Sequence, residues 1–357
     1  MYIALAILAF GIIIAIHELG HYLSAKALNV KVNEFAIGMG PKLLKKQGKE
    51  TLYTLRAFPF GGFCAMEGEH EEEEDPDPRS FLSQKRWKRI VILVSGSLAN
   101  FIAAFIIVFI LTLGTDGFMS TTLAEVTDRF PDKGVSELRA GDRIVAINGE
   151  RLFYYDDFIL FSHLNSGKPI TFTIDRGGET VEYQRRPYII DGEEQYRYSI
   201  TFAVTKGNLW ETLKYSGYQT YSFMRMIRVS IAMMISGAAS IQDVSGPVGI
   251  VSAMNTIGQQ APTTSAALGS IVFFMAFIGV NVAVINLLPI PAMDGGRILF
   301  VVLTWFIEKI TRRHLNPKYE GYINTGAFIL LIVFMVFILY NDVMKLVDGV
   351  DIFETIN

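Results

Sequence analysis

Two histidines and a glutamate near the amino terminus have the spacing of a zinc-hydrolase site. His17, Glu18 and His21 form the pattern His-Glu-x-x-His. On a helix, His17 and His21 share one face and can bind one zinc ion, while Glu18 projects close enough to activate a water molecule at the metal. A chance match among three fixed positions is the alternative. The pattern predicts zinc-dependent hydrolysis.

The residues around this motif argue against chance. Residues 12–16 read Ile-Ile-Ile-Ala-Ile, and the motif follows them directly. Placing an ionisable side chain at membrane depth costs on the order of 2.5–3.5 kcal/mol on insertion scales, so such residues persist mainly where function requires them. The motif is therefore expected to be a zinc site inside a membrane.

A catalytic zinc has three protein ligands and an open position, so a third ligand is needed. Asp294 lies at the end of a later apolar segment, after Pro289 and Pro291. The prolines interrupt the helix and free backbone groups, which is tolerable at membrane depth only inside protein or beside water. Asp294 can complete a site of two imidazoles and one carboxylate. Alternatively, it caps the helix that begins near Gly296.

The two motifs together resemble those of the bacterial site-2-protease family of intramembrane metalloproteases. Residues 17–21 match its H-E-x-x-H signature, and residues 286–295 match N-x-x-P-x-P-x-x-D-G. The resemblance covers nearly the whole chain, including the sequence Ser-Gly-Pro-Val-Gly-Ile at 245–250. One departure is Ser-Gly-Ser at 95–97, where many relatives read Ala-Gly-Pro. The resemblance implies Zn2+ as cofactor, with Glu18 as general base and His17, His21 and Asp294 as metal ligands.

The composition agrees with a membrane protein. The chain of 357 residues is 51% hydrophobic, and its mean hydropathy is +0.34. A net charge of −3 suggests no nucleic-acid partner. The single cysteine, Cys64, excludes an intramolecular disulfide.

Four segments are long and apolar enough to cross a bilayer, which takes about 20 residues each. They are Tyr2–Ala25, Ile90–Leu113, Leu268–Leu288 and Tyr322–Tyr340. The first lacks the basic start of a signal peptide, so we expect it to be retained. The predicted fold class is a polytopic α-helical membrane protein with four transmembrane helices, a membrane-associated β-hairpin and an inserted PDZ-like β-barrel domain.

Basic residues predict the orientation in the membrane. Lysines and arginines are frequent between the first two spans and again after the third. Such connections are cytoplasmic by the positive-inside rule, which places both termini and residues 115–265 outside. The predicted location is therefore the inner membrane of a bacterial cell, with the lipid bilayer as a partner.

The predicted hairpin lies between the first two spans. Val32–Ile37 and Thr51–Arg56 flank a Gln47–Gly48 turn, and Pro59 with Gly61 and Gly62 is expected to stop the second strand. An exposed strand edge can bind an unwound substrate by β-augmentation. The alternative is a hairpin that only packs on the helices. The candidate substrate-binding residues are Gly61, Gly62, Phe63, Asn281 and Asn286.

The inserted region from about Thr121 to Val204 is rich in short strands and turns. Residues 138–149 resemble a PDZ signature, which implies a strand-helix groove for a peptide ligand. A steric plug that binds no peptide is an equal alternative. In the family resembled, such a domain can act as a size filter.

The expected domains follow from these segments. They are an N-terminal membrane half at 1–114, the extracytoplasmic PDZ-like domain at 115–205, interfacial helices and linker at 206–265, and a C-terminal membrane half at 266–357. Residues 208–240 form either an interfacial helix or an ordinary buried one. The acidic run at 71–78, with His70 beside it, is expected to be a solvated surface tract.

The resulting prediction is an intramembrane zinc metalloprotease that cleaves the transmembrane segments of single-span proteins, such as anti-sigma factors or signal-peptide remnants, as the resemblance implies. Two alternatives stay open. One is a non-enzymatic membrane scaffold with a structural zinc, although structural sites have four protein ligands and only three are found here. The other is a zinc hydrolase of lipids or small molecules, against which the hairpin argues.

Overall fold

A computed structural model gives the fold of the chain. It describes residues 2–69, 77–126, 138–165, 167–185, 187–189, 196–198, 200–238, 240, 244, 246–312 and 318–347. His70 and most of the acidic run, residues 71–76, lie outside these ranges.

Eight helices and ten strands are described. The helices are α1 (Tyr2–Ala27), α2 (Arg86–Thr112), α3 (Tyr155–His163), α4 (Leu209–Ser236), α5 (Pro247–Gln260), α6 (Thr264–Leu287), α7 (Asp294–Thr311) and α8 (Lys318–Val347). The strands are β1 (Val32–Gln47), β2 (Leu52–Met66), β3 (Gly117–Val126), β4 (Arg143–Ile147), β5 (Glu150–Arg151), β6 (Ile170–Arg176), β7 (Glu179–Arg185), β8 (Tyr188–Ile189), β9 (Tyr196–Arg197) and β10 (Ile200–Lys206).

The chain divides into two compact units. The first comprises residues 1–111 and 223–357, and the second comprises residues 112–222. The predicted PDZ-like domain lies inside the second unit. That unit also includes the first half of α4, which the sequence assigned to a separate interfacial segment.

Four helices of the first unit are long and apolar enough to cross a membrane. They span Ile3–Ala27, Arg86–Thr112, Thr264–Leu287 and Gly321–Lys345, each with a hydropathy above 2. These are the four segments that the sequence predicted. The protein is therefore a multi-pass membrane protein, whereas the side of the membrane on which each loop lies stays a prediction.

Helix α1 contacts three other helices of the first unit, α2, α5 and α6. Its first half packs through Ala6, Ala9 and Ile13 on α5 and α6, where Met254 and Ile271 are buried. At its second half, Gly20 lies against α2 so closely that a Cβ at Gly20 would contact the carbonyl carbon of Ser95 at 2.8 Å. Small residues permit such close helix approach in membranes. The histidine-bearing turn is thus fixed against its neighbours.

Helix α8 is tied to the start of α5 by a buried carboxylate. Asp342 accepts hydrogen bonds from the backbone N–H of Gly246 at 3.1 Å and of Gly249 at 2.9 Å. Negative charge at a helix N-terminus satisfies donors that the helix cannot pair itself. This contact gives the Gly-Pro-Val-Gly segment a structural role.

The predicted hairpin is present but more folded than expected. Residues Glu34–Ile37 of β1 pair on both sides, with 52–55 and with 62–65. The prediction that Pro59 and Gly61–Gly62 stop the second strand is wrong, since β2 continues to Met66. Gly61 has a φ of 86°, so the chain bends there, and residues 62–66 return to form the outer strand of a small sheet.

The second unit is built on an antiparallel sheet with the order β10-β3-β4-β6-β7, to which β5 adds beside β4. The predicted strands near residues 123, 143, 170 and 200 and the predicted helix near 157 are all present. The sheet does not close among the described residues, so the PDZ-like barrel stays a prediction. The hydrophobic core of the second unit contains Ile144, Ile147, Phe158 and Phe172.

Candidate metal centre

The three predicted metal ligands converge in the first unit. Nε2 of His17 lies 3.1 Å from Nε2 of His21, and each of these atoms lies 3.1 Å from Oδ2 of Asp294. The histidine rings meet edge to face, with centroids 4.8 Å apart. Both histidines are only 6% exposed. The three ligand atoms therefore form an almost equilateral triangle in a largely buried place.

This triangle has the size that zinc requires. Bonds of about 2.0–2.1 Å in a tetrahedral arrangement place neighbouring ligand atoms about 3.4 Å apart. The polar atoms also suit a cation, because the nitrogen that a neutral His21 turns toward the carboxylate of Asp294 carries no proton when Nδ1 donates to a backbone carbonyl. Two acceptors at 3.1 Å repel each other unless a cation or a proton lies between them. The residues fit a zinc ion, and among the described residues these three are the group that could hold it, which leaves a fourth position for water or substrate.

A backbone contact sets the protonation of His21. Nδ1 of His21 donates to the carbonyl oxygen of Ile92 at 2.8 Å, across the α1–α2 interface. That bond places the ring proton on Nδ1 and leaves Nε2 to bind metal. The orientation of His21, a ligand predicted from the motif, thus depends on the backbone carbonyl of Ile92, which lies outside the motif.

Asp294 lies beside the histidines because the helical backbone is interrupted between α6 and α7. Ala292 has a left-handed φ of 73°, and its N–H donates to Oδ1 of Asn324 at 3.1 Å. Helix α7 begins at Asp294 with Met293 as the preceding cap residue. Asp294 therefore does not cap the helix from outside, and its carboxylate is turned toward His17 and His21.

Two glycines after Asp294 let α7 start beside the end of α6. A Cβ at Gly295 would collide with the backbone of Leu287, and one at Gly296 would approach the carbonyl carbon of Ile290 to 2.6 Å. No side chain fits at either position. The Asp-Gly-Gly sequence is thus a packing requirement as well as part of a motif.

Gly96 on α2 also shapes the site. A Cβ at Gly96 would lie against Nε2 of His21 and 2.8 Å from Nε2 of His17. This is the place where the ligand atoms converge, so the absent side chain leaves room for the metal. In the sequence, residues 95–97 stand out only as a departure from the family pattern. The signal available was a glycine within an apolar helix.

A cavity of about 470 Å3 opens beside the ligands. Glu18 lines it next to His17, and Gly62 lies close by, since a Cβ there would be 3.4 Å from Cγ of Glu18. The wall includes one continuous stretch of β2. Its lining residues are Ile14, His17, Glu18, His21, Phe63, Cys64, Ala65, Met66, Glu69, Leu93, Val282, Asn286, Ala292, Met293, Asp294 and Arg297.

The predicted substrate-binding residues differ in their placement. Phe63 and Asn286 line the cavity, and Nδ2 of Asn286 lies 3.4 Å from Nε2 of His17. Gly62 is beside Glu18, and Gly61 occupies the adjacent bend. Asn281 instead donates to the carbonyl oxygen of Phe277 within its own helix, at 2.9 Å. A role in binding substrate stays a prediction for all five.

Comparison with known proteins finds sequence matches over nearly the whole chain. The family model described as Peptidase family M50 matches residues 5–334. A candidate zinc metalloprotease of Clostridium acetobutylicum is 36% identical over 343 residues, which cover 96% of this chain and 97% of the relative. A second, from Clostridium perfringens, is 37% identical over 346 residues, 96% of this chain and 99% of the relative. The regulator of sigma-W protease RasP of Bacillus subtilis is 26% identical over 426 residues, 95% of this chain and 97% of the relative.

Proposed function

The chain belongs to peptidase family M50 and is a zinc metalloprotease, and we propose that it cleaves single-span proteins within their transmembrane segments, using His17, His21 and Asp294 to hold zinc. One observation carries the assignment of residues. Two ligand atoms from the apolar helix α1 and one from the first residue of α7 lie 3.1 Å from one another, beside Glu18 and an open cavity.

Glu18 is the proton carrier of the proposed reaction. Its carboxylate lines the cavity next to the ligands, where it can accept the proton of the attacking water and later deliver it to the leaving amine. Zinc supplies a Lewis acid there, which polarises a carbonyl oxygen and makes water a better nucleophile at neutral pH. Asn286, whose Nδ2 lies 3.4 Å from Nε2 of His17, is proposed to donate to the developing oxyanion.

The outer strand of the hairpin sheet is proposed to hold the substrate. A transmembrane helix hides its amides in internal hydrogen bonds, so cleavage requires an extended segment. Residues 63–66 line the cavity and, among the described residues, pair with β1 on one side only. An extended substrate can add to the other side, which presents its backbone near Glu18.

The natural substrates are proposed from chemistry and family together. RasP of Bacillus subtilis is named a regulator of a sigma factor, which supports membrane-anchored anti-sigma factors as a class, with signal-peptide remnants as another. Because strand addition requires a peptide backbone, it favours both of these substrate classes over lipids. The non-enzymatic scaffold is not favoured, because a structural zinc has four protein ligands and the part of the chain that the structure describes brings three together here.

The orientation and the inserted domain complete the proposal. The basic hairpin region faces the cytoplasm and the second unit faces outward, because basic loops are retained inside. The second unit is proposed to be PDZ-like, on the strength of residues 138–149. It either excludes bulky substrates or binds a peptide.

The test is proteolysis by the purified protein in detergent. The probe is a synthetic single-span peptide with an alanine-leucine helix of about 20 residues, a central Asn-Gly pair and a fluorescent tag. We expect cleavage within the span, loss of cleavage with a zinc chelator, and recovery on adding zinc. Cleavage of a fluorogenic lipid ester with no cleavage of the peptide would instead assign a lipid hydrolase.

A further inference from the structure

Glu69 and Arg297 form an ion pair in the wall of the catalytic cavity. Nη1 of Arg297 lies 2.5 Å from Oε1 of Glu69, and the two side chains are 17% and 10% exposed. Arg297 lies one turn after Asp294 on α7, and Glu69 follows the end of β2. The pair thus joins the helix that carries a metal ligand to the strand proposed to bind substrate.

The second oxygen of Glu69 is bound to that strand. Oε2 of Glu69 accepts a hydrogen bond from the backbone N–H of Met66 at 3.1 Å. The next N–H, of Glu67, donates to the carbonyl oxygen of Lys31 at 2.9 Å, on the side of β1. Since successive N–H groups of a strand point in opposite directions, the N–H of Met66 points away from β1, as does that of Cys64. Glu69 therefore occupies a donor on the free edge.

Arg297 is held where it can keep Glu69 in place. Its guanidinium lies over the ring of Phe81, 5.2 Å from the centroid, and Phe81 is 1% exposed. Arg89 lies at 5.2 Å from the same ring. A planar cation packed on a buried ring has little freedom to move. The carboxylate is thus anchored from one side by Arg297 and from the other by Met66.

We propose that the Glu69–Arg297 pair sets the register of the substrate strand, and so the position of the cleaved bond. This inference rests on the proposed proteolysis. A substrate strand can pair with the edge at Cys64 but is stopped at Met66, whose N–H is already bound. If that donor is freed, the strand can slide by two residues and still present the same face. The peptide bond that lies beside the zinc site is then displaced by two residues along the substrate. Glu69 and Arg297 are positioning residues in this scheme.

The experiment compares cleavage positions. The purified full-length protein, its Glu69→Ala, Glu69→Gln and Arg297→Gln variants, and a Glu67→Ala control cut the single-span peptide probe, and mass spectrometry locates each cut. Glu67 is a matched control, because it lies two residues away and pairs with Lys31 at 2.8 Å, outside the cavity lining. Zinc content is measured for every variant.

For Glu69→Ala we expect a second product displaced by two residues, increased roughly fivefold or more over the wild type, because one strand hydrogen bond is released. Total kcat/KM should change much less than the product ratio. Arg297→Gln should yield the same second product in smaller amount. Glu69→Gln keeps one acceptor oxygen for Met66 but turns an NH2 group toward Arg297, so it should behave like Arg297→Gln, whereas Glu67→Ala should retain the wild-type position.

The remaining outcomes overturn the proposal in separate ways. An unchanged cut in zinc-loaded Glu69→Ala would show that the pair has no effect on register. Loss of zinc from both Glu69→Ala and Arg297→Gln would make the pair a structural support for Asp294. No cleavage by the wild type and by Glu67→Ala would remove the proposed function itself, and the register with it.

Discussion

Nδ1 of His21 donates a hydrogen bond to the carbonyl oxygen of Ile92, 2.8 Å away on the adjacent helix. The metal-binding nitrogen of His21 is therefore oriented by α2, not only by the helix that carries the motif. Any change that separates α1 from α2 should weaken metal binding even if His17, His21 and Asp294 are intact.

The first prediction concerns the contact between these helices. Gly96→Ala should lose zinc, because the added methyl would lie against Nε2 of both histidines. We expect metal affinity to fall by at least tenfold, in line with losses seen when groups that orient ligands are disturbed. Zinc per protein after gel filtration is the measurement. Gly269→Ala on α6 is the control, since a methyl there has open space around it, and its retention of zinc is required for the comparison.

The second prediction separates metal binding from chemistry. Glu18→Gln should keep zinc and lose turnover by at least a hundredfold, because general acid-base catalysis commonly contributes about 10²–10⁴-fold. Asp294→Ala and His17→Ala should lose both. Metal analysis and peptide cleavage are measured on the same preparations. A stoichiometric zinc content in Asp294→Ala would remove Asp294 from the ligand set.

The sequence predicted the parts of the site that local spacing determines. His17, Glu18 and His21 lie on one helix, and Asp294 follows a break made by two prolines, so their patterns are visible within about ten residues. Gly96, Asn324 and the Glu69–Arg297 pair were missed. Each acts through a contact with a residue far away in the chain. Glu69 and Arg297, for example, are 228 positions apart, and local periodicity does not reveal such contacts.

The four apolar helices were predictable for a similar reason. A bilayer imposes a length and a composition that can be counted along the sequence. The hairpin was harder, because Pro59 and Gly61 commonly end a strand. Here they bend it, and the chain continues to Met66 on the other side of Glu34–Ile37. Whether such residues end or bend a strand depends on the partner available to the following residues, which only the tertiary fold supplies.

The third prediction tests the orientation. In a background with Cys64 replaced by alanine, a membrane-impermeant thiol reagent added to intact cells should label Lys168→Cys and miss Lys46→Cys. Both positions are exposed, so access from each side of the membrane decides the result. Permeabilised cells provide the control, because both probes should then react. The reverse pattern in intact cells would place the second unit in the cytoplasm and exclude a role as an outer filter.

The fourth prediction concerns acid stability of the second unit. Hydrogen bonds from Arg176, at 2.8 Å to each oxygen, hold the pKa of Asp142 below its usual value near 3.8. A carboxyl group whose pKa is lowered by folding stabilises the fold above its unfolded pKa and ceases to do so as pH falls through the folded value. The stabilisation should therefore be complete above about pH 5, begin to decrease below about pH 4, and be lost once the pH is below the lowered pKa of the folded state.

Thermal unfolding of the full-length protein at pH 7 and at a series of pH values below 4 measures this effect. Arg176→Met should lower the melting temperature of the second unit at pH 7, since a buried group left without its partner costs about 1–3 kcal/mol. The difference from wild type should shrink in acid. Arg143→Met is the matched control, because Arg143 pairs with Asp175 at 3.3 Å on an exposed surface. An equal difference at all these pH values would show that Arg176 stabilises through packing instead of charge.

The last prediction distinguishes a filter from a receptor in the second unit. Residues 121–204 can be removed with little strain on the ends, because Phe118 pairs with Thr205 and Gly117 with Lys206 on adjacent strands. If the unit excludes bulky substrates, the deletion should admit a probe that carries a folded outer domain and leave a trimmed probe nearly unaffected. If it recruits substrate through a peptide groove, the deletion should raise KM for the trimmed probe.

The filter is favoured, because the unit is inserted between α2 and the second half of α4, both continuous with the catalytic unit. Zinc content must match that of the wild type, since a misfolded deletion would imitate lost recruitment. Unchanged cleavage of both probes would contradict filter and receptor alike.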